Sequence, residues 1–117
     1  MNQQVFGTGG YRYEQVEDWA KLPAGWAWGQ GTGVAVDGRD NVHLFNRSVH
    51  PVIVFDRQGN FLRSWGESLF KRPHGVYITP DQFVWGADDG NHVIGKFDLE
   101  GRLLKTLGVP GNPSDTG

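Results

Sequence analysis

The chain has 117 residues, a net charge of −2 with histidine neutral, and no cysteine. The near-neutral charge gives no basic surface for nucleic acid or for an anionic membrane. The lack of cysteine excludes disulfides, thiolate metal sites and cysteine nucleophiles. No apolar run reaches the ~18 residues of a membrane helix, and the first thirty residues have no signal-peptide pattern. Eighteen glycines and five tryptophans favour short strands joined by tight turns.

Residues 1–30 form a lead-in segment with strand signals but no clear repeat. One or two strands are predicted over Tyr11–Trp19, and one of them is a candidate closing strand for a ring. Glu14–Leu22 has a weak 3.6-residue periodicity over a short length. Neither glycine run, at 7–10 or at 29–33, is followed by a helix signal or a Lys-Ser/Thr pair, so no phosphate loop is predicted.

Two copies of one sequence unit follow, 42 residues apart. Residues 33–66 align with residues 75–108 without a gap, and nine of 34 positions are identical where average composition gives about two. The identical pairs are Gly33/Gly75, Val34/Val76, Val42/Val84, His50/His92, Phe55/Phe97, Asp56/Asp98, Gly59/Gly101, Leu62/Leu104 and Gly66/Gly108. A repeat of this length is typical of propeller blades and solenoids.

Each unit holds four short β-rich runs separated by turn residues. The runs are Gly33–Val36, Val42–Phe45, Val52–Phe55 and Phe61–Trp65, then Gly75–Ile78, Phe83–Trp85, Val93–Phe97 and Leu103–Leu107. Four antiparallel strands in ~40–45 residues is typical of a propeller blade. Tetratricopeptide and ankyrin repeats are helical, and a β-sandwich does not require an in-register repeat.

The predicted fold is therefore all-β, with about two four-stranded antiparallel β-propeller blades. Residues 1–30 are the lead-in, residues 31–72 the first blade, and residues 73–117 the second blade with the start of the next connection. Blades pack on their neighbours, so two blades leave two apolar faces uncovered. Closure is expected with the remainder of a propeller or as a homo-oligomer, in which three copies give six blades around a three-fold axis.

The second unit resembles the NHL repeat family. Asn91-His92-Val93 matches the triplet that names the family, with Val for Leu, and Pro-His-Gly-Val precedes it from Pro73. Two longer segments, VAVDGRDNVHLFNR at 34–47 and KRPHGV at 71–76, resemble the catalytic propeller of the peptidyl-α-hydroxyglycine α-amidating lyases. The lead-in and the tail LGVPGNPSDTG are similar to bacterial lyase-like propellers. The resemblance implies the first third of a six-bladed NHL ring in a soluble bacterial protein.

The resemblance also implies an activity. Enzymes of that family cleave the N–Cα bond of a peptidyl-α-hydroxyglycine and release a peptide amide and glyoxylate. Three histidines hold a zinc ion, backbone carbonyls help to hold a calcium ion, and an arginine and a tyrosine serve the substrate. His74 matches the first zinc histidine, Arg47 matches the arginine, and the carbonyls of Val34 and Val76 match two calcium ligands. The remaining ligands and the tyrosine are expected beyond Gly117.

The matched side chains also have structural interpretations. His74 can be a polar residue at the channel end of a strand. Arg47 can form a salt bridge with Asp88, Asp89 or another acid of the neighbouring blade. Asp88 and Asp89 can serve calcium, but the repeated loop position Asn46/Asp88 favours a role in a turn.

Other polar residues follow the repeat. His50 and His92 are equivalent and are predicted to form structural hydrogen bonds, while Asp56 and Asp98 are predicted to start turns. His43 alternates with apolar neighbours and is predicted to pack on the opposite side of its strand. The five tryptophans are interpreted as blade packing.

Two hypotheses from different classes follow. In the first, the chain is part of a zinc-dependent lyase-like propeller that acts on a peptidyl or small α-hydroxy substrate, with Arg47 orienting it and zinc acting as a Lewis acid. In the alternative, it belongs to a non-enzymatic NHL scaffold for protein–protein interaction. His74 and Arg47 have the non-identical residues Thr32 and Asp89 at the equivalent positions, so function is sought at these two residues.

Overall fold

A computed structural model describes residues 4–115 of the chain. Ten strands form one two-stranded and two four-stranded antiparallel sheets, and the all-β prediction is confirmed. The strands are β1 Val5–Thr8, β2 Tyr11–Glu14, β3 Gln30–Val36, β4 Val42–Arg47, β5 Val52–Phe55, β6 Phe61–Trp65, β7 Pro73–Ile78, β8 Val84–Asp88, β9 Val93–Phe97 and β10 Leu103–Leu107. Within residues 4–115, no helix has the length and apolar character needed to cross a membrane.

The two four-stranded sheets are propeller blades, with strand orders β3-β4-β5-β6 (blade 1) and β7-β8-β9-β10 (blade 2). Strands β5, β6, β9 and β10 have the predicted bounds. Strands β3 and β7 begin earlier than predicted, at Gln30 and Pro73, and β4 and β8 extend to Arg47 and Asp88. These extra residues pair with one another, Gln30 opposite Arg47 and Pro73 opposite Asp88, so polar strand ends lengthen both blades.

The lead-in contains a hairpin followed by an irregular stretch. Strands β1 and β2 pair with each other, and every residue of both is exposed. The strand predicted over Tyr11–Trp19 is present as β2. The helical periodicity of Glu14–Leu22 is misleading, because this stretch contains a turn and a single bridge residue. Trp19 and Lys21 hold it against the β5–β6 turn through hydrogen bonds.

Asp56 and Asp98 start equivalent turns, as predicted. One carboxylate oxygen of Asp56 accepts the backbone N–H groups two and four residues later, each at 2.9 Å, and Asp98 does the same at 3.1 and 2.8 Å. A side-chain hydrogen bond from Asn60 is the main cause that lowers the pKa of Asp56, and the backbone N–H of Arg102 is the main cause for Asp98. The repeated aspartates therefore fix chain direction between the outer strands.

The hydrophobic core lies between the two blades. Phe45 of β4 faces Gly86 of β8, where a Cβ atom would lie 2.9 Å from the phenylalanine ring. Trp65 packs on Phe97 with ring centroids 4.9 Å apart, and Phe70 of the connector lies 5.4 Å from Phe45 and 5.5 Å from Phe97. Burial of aromatic rings of this size is a large favourable contribution to folding.

The segment that precedes each blade lays an aromatic ring on the third strand. Trp28 lies 5.9 Å from Phe55 in blade 1, and Phe70 lies 5.5 Å from Phe97 in blade 2. Trp28 and Phe70 are 42 residues apart, and so are Phe55 and Phe97. This contact therefore follows the repeat. Trp19 also packs on Phe55, at 5.8 Å. The lead-in therefore covers the side of blade 1 that faces away from blade 2.

A buried polar side chain also anchors each of these connecting segments. The amide oxygen of Asn46 accepts the backbone N–H of Gly29 at 3.1 Å, and the carboxylate of Asp88 accepts the N–H of Lys71 at 2.7 Å. Asn46 and Asp88 are equivalent and are 1% and 3% exposed. Asp88 further accepts the N–H of Asn91 at 3.1 Å, which confirms its predicted role in a turn.

A backbone carbonyl in the last turn of each blade accepts a hydrogen bond from a side chain of the lead-in or of the blade before it. The indole N–H of Trp19 donates to the Arg57 carbonyl, and the guanidinium Nε of Arg63 donates to the Leu99 carbonyl, each at 3.2 Å. Residues 57 and 99 are 42 residues apart. The two contacts therefore join lead-in to blade 1 and blade 1 to blade 2 at the same point.

One face of blade 2 has no neighbour among the described residues. Ile94 and Leu107 are each 43% exposed, whereas the equivalent Val52 and Trp65 of blade 1 are 0% and 6% exposed. Residues 4–115 thus contain two stacked blades that do not close a ring.

His43 is fully buried on the side of blade 1 that faces blade 2, so its predicted packing role is confirmed. Its Nε2 lies 2.9 Å from Oδ2 of Asp37, and its Nδ1 has no partner among the described residues. Burial lowers the pKa of His43, and the bond to Asp37 offsets this in part. Burial raises the pKa of Asp37, but bonds from His43 and from the N–H groups of Arg39 and Asn41 lower it below its ordinary value.

Replacing Gly59 should strongly destabilise the fold. Its φ angle is +82°, and an added Cβ would lie 1.8 Å from the Trp19 carbonyl oxygen. We expect Gly59→Ala to lower the free energy of unfolding by about 2–4 kcal/mol, from left-handed backbone strain and the clash. Urea unfolding measures the change. Gly31→Ala is the matched control, because nothing lies within 4 Å of its Cβ position; equal losses in both variants would contradict the contact.

Acidification should destabilise the protein through His43. Because its folded pKa is lower than its ordinary value of 6.5, the unfolded chain binds the proton first. The free energy of unfolding should fall as pH drops below about 6.5, by up to ~1.4 kcal/mol per pH unit. Asp37 contributes only at lower pH, where its stabilisation is lost as pH falls through its own lowered pKa.

Urea unfolding at pH 7, 6 and 5 tests this pH dependence. His43→Gln should have a flatter pH dependence than the wild type in that range. His92→Asn, which removes an exposed histidine, should keep the wild-type dependence. An unchanged slope in His43→Gln would show that His43 is not the responsible group.

Candidate functional site

The predicted site residues lie where the inner strands begin. Strands β3 and β7 approach closely there, since a Cβ on Gly33 would lie 3.1 Å from the His74 carbonyl oxygen. The pairing register shifts between Gly31 and Gly33 in β3 and between Pro73 and Val76 in β7. Such bulges redirect side chains. They place Thr32 and His74 at equivalent irregular positions in the two blades.

His74 lies inside β7, one residue after its start, rather than directly before the strand as predicted. Its side chain is exposed, and none of the hydrogen bonds or ion pairs formed within residues 4–115 involves its imidazole. Its geometry is compatible with both the ligand role and the polar strand-end role.

Arg47 joins the two blades beside His74. Its Nη1 donates to Oε1 of Gln30 at 2.8 Å, and its Nε donates to the carbonyl of Pro73 at 3.4 Å. The structure therefore places the Arg47 guanidinium at the peptide bond between Pro73 and His74. Gln30 was not anticipated from the sequence; the available signal was its difference from Arg72 at the equivalent position.

The salt bridges considered for Arg47 are not formed. Asp88 accepts backbone N–H groups of Lys71 and Arg72 at 2.7 and 2.9 Å, and Asp89 lies 3.6 Å from the guanidinium of Arg72. Across residues 4–115, Arg47 takes part in no ion pair. Its positive charge is therefore not neutralised by an acid of either blade.

Val34 and Val76 lie on the adjacent inner strands β3 and β7. Val34 is 59% exposed, and Val76 packs against the inter-blade core. A calcium ion takes 6–8 oxygen ligands, and a catalytic zinc ion takes three protein ligands with one open position. No group of three or more His, Cys, Asp or Glu side chains in the described range is placed to hold a metal. The metal roles of His74, Val34 and Val76 therefore stay predictions.

The two repeated histidines differ in their surroundings. His50 stacks on Trp26 at 3.5 Å, and its Nδ1 lies 3.1 Å from Oε1 of Glu67, which confirms a structural role. His92 is exposed and has a positive φ angle of 60°. Val109 occupies the position equivalent to Glu67, so the contact between His50 and Glu67 is not repeated at His92.

Known proteins share this sequence pattern. NHL repeat-containing protein 3 is 36% identical in mouse and 33% identical in human over 88 positions, which cover 67% of this chain and 25% of each relative. Rat peptidylglycine alpha-amidating monooxygenase is 29% identical over 128 aligned positions, covering 83% of this chain and 13% of that protein. No family model matches the chain. The chain thus spans a quarter or less of these relatives.

The comparisons agree with the structure. Both groups of relatives align over most of the chain, and the structure has the two repeated four-stranded sheets expected of propeller blades. The chain is therefore built from NHL-type β-propeller blades and resembles the peptidylglycine alpha-amidating enzymes over most of its length.

Proposed function

We propose that the chain contributes the first part of the substrate site of a lyase-like NHL propeller. In this reaction the N–Cα bond of a peptidyl-α-hydroxyglycine breaks, the hydroxyl oxygen becomes the carbonyl of glyoxylate, and its proton is transferred to the departing amide nitrogen. The observation that carries the proposal is the bond from Arg47 to the Pro73 carbonyl, which holds the guanidinium at the backbone directly before His74.

Arg47 is suited to bind the carboxylate of such a substrate. Three other arginines of the two blades lie near acids: Arg57 is 3.8 Å from Asp40, Arg72 is 3.6 Å from Asp89, and Arg102 is 3.3 Å from Asp98. Arg63, like Arg47, donates to a backbone carbonyl. Arg47 is held by two neutral oxygen acceptors. A guanidinium that keeps its charge and has a fixed plane can hold a carboxylate through two parallel hydrogen bonds.

His74 is the one zinc ligand that the resemblance assigns to this chain. A catalytic zinc site needs three protein ligands, and the described residues hold no such set, so no step of the reaction is assigned to a metal here. The carbonyls of Val34 and Val76 are proposed as two calcium ligands on the same grounds. Both metal sets then depend on residues of other blades in the assembled propeller.

A binding scaffold is the alternative function. The higher identity to NHL repeat-containing protein 3 favours it. The net charge of −2 argues against RNA as the partner. Capture of one stoichiometric protein partner by a metal-free propeller would support the scaffold and contradict the lyase.

A ring of three copies is a further way to complete the propeller. Three-fold symmetry would place three His74 side chains around one axis. In that ring the tryptophans at 19 and 28, which lie on Phe55, would stand between neighbouring copies. Light scattering decides this directly, since a monomeric mass excludes the three-copy ring.

Zinc retention by the assembled propeller tests the role of His74. We expect His74→Asn to weaken zinc binding by at least about tenfold, because a first ligand is lost. His92→Asn is the matched control, since it removes another exposed histidine of the same blade. Metal analysis after dialysis gives the zinc content. Absence of zinc in the wild type, or equal zinc in the two variants, would contradict the proposal.

Lyase kinetics test the role of Arg47. We expect Arg47→Met to lower kcat/KM by about 10- to 100-fold, which corresponds to the loss of hydrogen bonds to a charged group. Arg39→Met, in the β3–β4 turn, should leave kcat/KM unchanged. Release of glyoxylate from a peptidyl-α-hydroxyglycine is the measurement. Full activity in Arg47→Met would exclude a contact with the substrate.

A further inference from the structure

One cross-strand position differs in charge between the two blades. In blade 1, Gln30 of β3 pairs with Arg47 of β4. The residues 42 positions later are Arg72, just before β7, and Asp89, just after β8. Gln30 and Arg72 are 42 residues apart, and so are Arg47 and Asp89, so the two pairs are equivalent in the repeat. Arg72 and Asp89 form an ion pair at 3.6 Å, whereas Gln30 and Arg47 form a neutral-acceptor hydrogen bond at 2.8 Å.

The arginine of each pair therefore has a different kind of acceptor. In blade 2 the carboxylate of Asp89 lies beside Arg72 in an ion pair. In blade 1 the amide oxygen of Gln30 and the carbonyl of Pro73 take one N–H each from Nη1 and Nε of Arg47, and neither acceptor carries a charge. A guanidinium has five N–H donors, so Nη2 and one N–H of Nη1 stay available on a side chain that is already oriented.

We infer that Gln30 is a positioning residue that selects a carboxylate ligand for Arg47. It fixes the plane of the guanidinium without neutralising it, and the preferred ligand is a small organic carboxylate attached to an amide. The inference rests on the proposed function in one respect, that Arg47 faces the substrate carboxylate. It adds that the uncharged state of residue 30 decides whether the site accepts an anion.

A glutamate at position 30 would keep the acceptor and add a negative charge. It would form with Arg47 the kind of ion pair that Arg72 forms with Asp89. An incoming carboxylate would then meet a neutralised pair in place of a free cation. Two unit charges ~4 Å apart in water interact by roughly one kcal/mol, which corresponds to about fivefold in affinity.

The experiment is an NMR titration of the arginine Nε–H signals with hippurate, a stable amide-linked carboxylate. We expect a saturable shift of Arg47 Nε–H in the wild-type chain and no comparable shift of Arg72. Gln30→Glu should weaken hippurate binding by about fivefold or more. Gln58→Glu is the matched control, since it adds the same charge at an exposed position in the β5–β6 turn and should leave the affinity unchanged.

Gln30→Met separates orientation from charge. It removes the acceptor and keeps the net charge, so binding should weaken by less than in Gln30→Glu, by about two- to threefold. Equal affinities for Gln30→Glu and Gln58→Glu would overturn the inference. A wild-type Arg47 signal that does not respond, or an Arg72 signal with the same midpoint, would overturn it as well.

The assembled propeller distinguishes this inference from the proposed reaction. If Gln30→Glu binds hippurate more weakly than Gln58→Glu does but no glyoxylate is released, the proposed reaction is wrong and the anion site is supported. If glyoxylate is released with the same KM by Gln30→Glu and by the wild type, the role of Gln30 is wrong and the proposed reaction is supported.

Discussion

The packing of blade 1 on blade 2 is the contact on which the rest of the structure depends. Phe45 lies against Gly86, and Phe70 occupies the space between Phe45 and Phe97. This contact sets the distance between the two inner strands. It therefore also brings Arg47 of one blade within hydrogen-bond distance of the Pro73 carbonyl in the other. The candidate site is a product of inter-blade packing, and neither sheet forms it alone.

The repeat predicts those parts of the fold that depend on local chemistry. Strand runs in β5, β6, β9 and β10 and the turns at Asp56 and Asp98 follow from alternation and from side chains that bond their own backbone. Polar strand ends were missed, because their extension depends on a partner strand. Likewise, alternation predicts that His43 faces away from Val42 and Leu44 and packs, but its hydrogen bond with Asp37 is not predicted by alternation.

The candidate site illustrates the same division. His74 and Arg47 are indicated by motif resemblance and by their lack of identical partners in the repeat. Gln30 carries no motif and became visible only when its bond to Arg47 was compared with the Arg72–Asp89 pair. In a repeat protein, divergence between equivalent contacts is thus more informative than the identity of single residues. The further metal ligands that the proposed function requires cannot be derived from two blades, since their positions would depend on the closed ring.

The hydrogen bonds that join the lead-in to blade 1 and blade 1 to blade 2 have a consequence for sequence divergence. At residues 57 and 99 the acceptor is a backbone carbonyl, which every residue type provides. An indole serves as the donor at one joint and a guanidinium at the other, so the donor can change without a compensating change in the acceptor. Pairs of this kind leave no covariation in a family alignment. Blades joined in this way can diverge widely in sequence while their stacking geometry is retained.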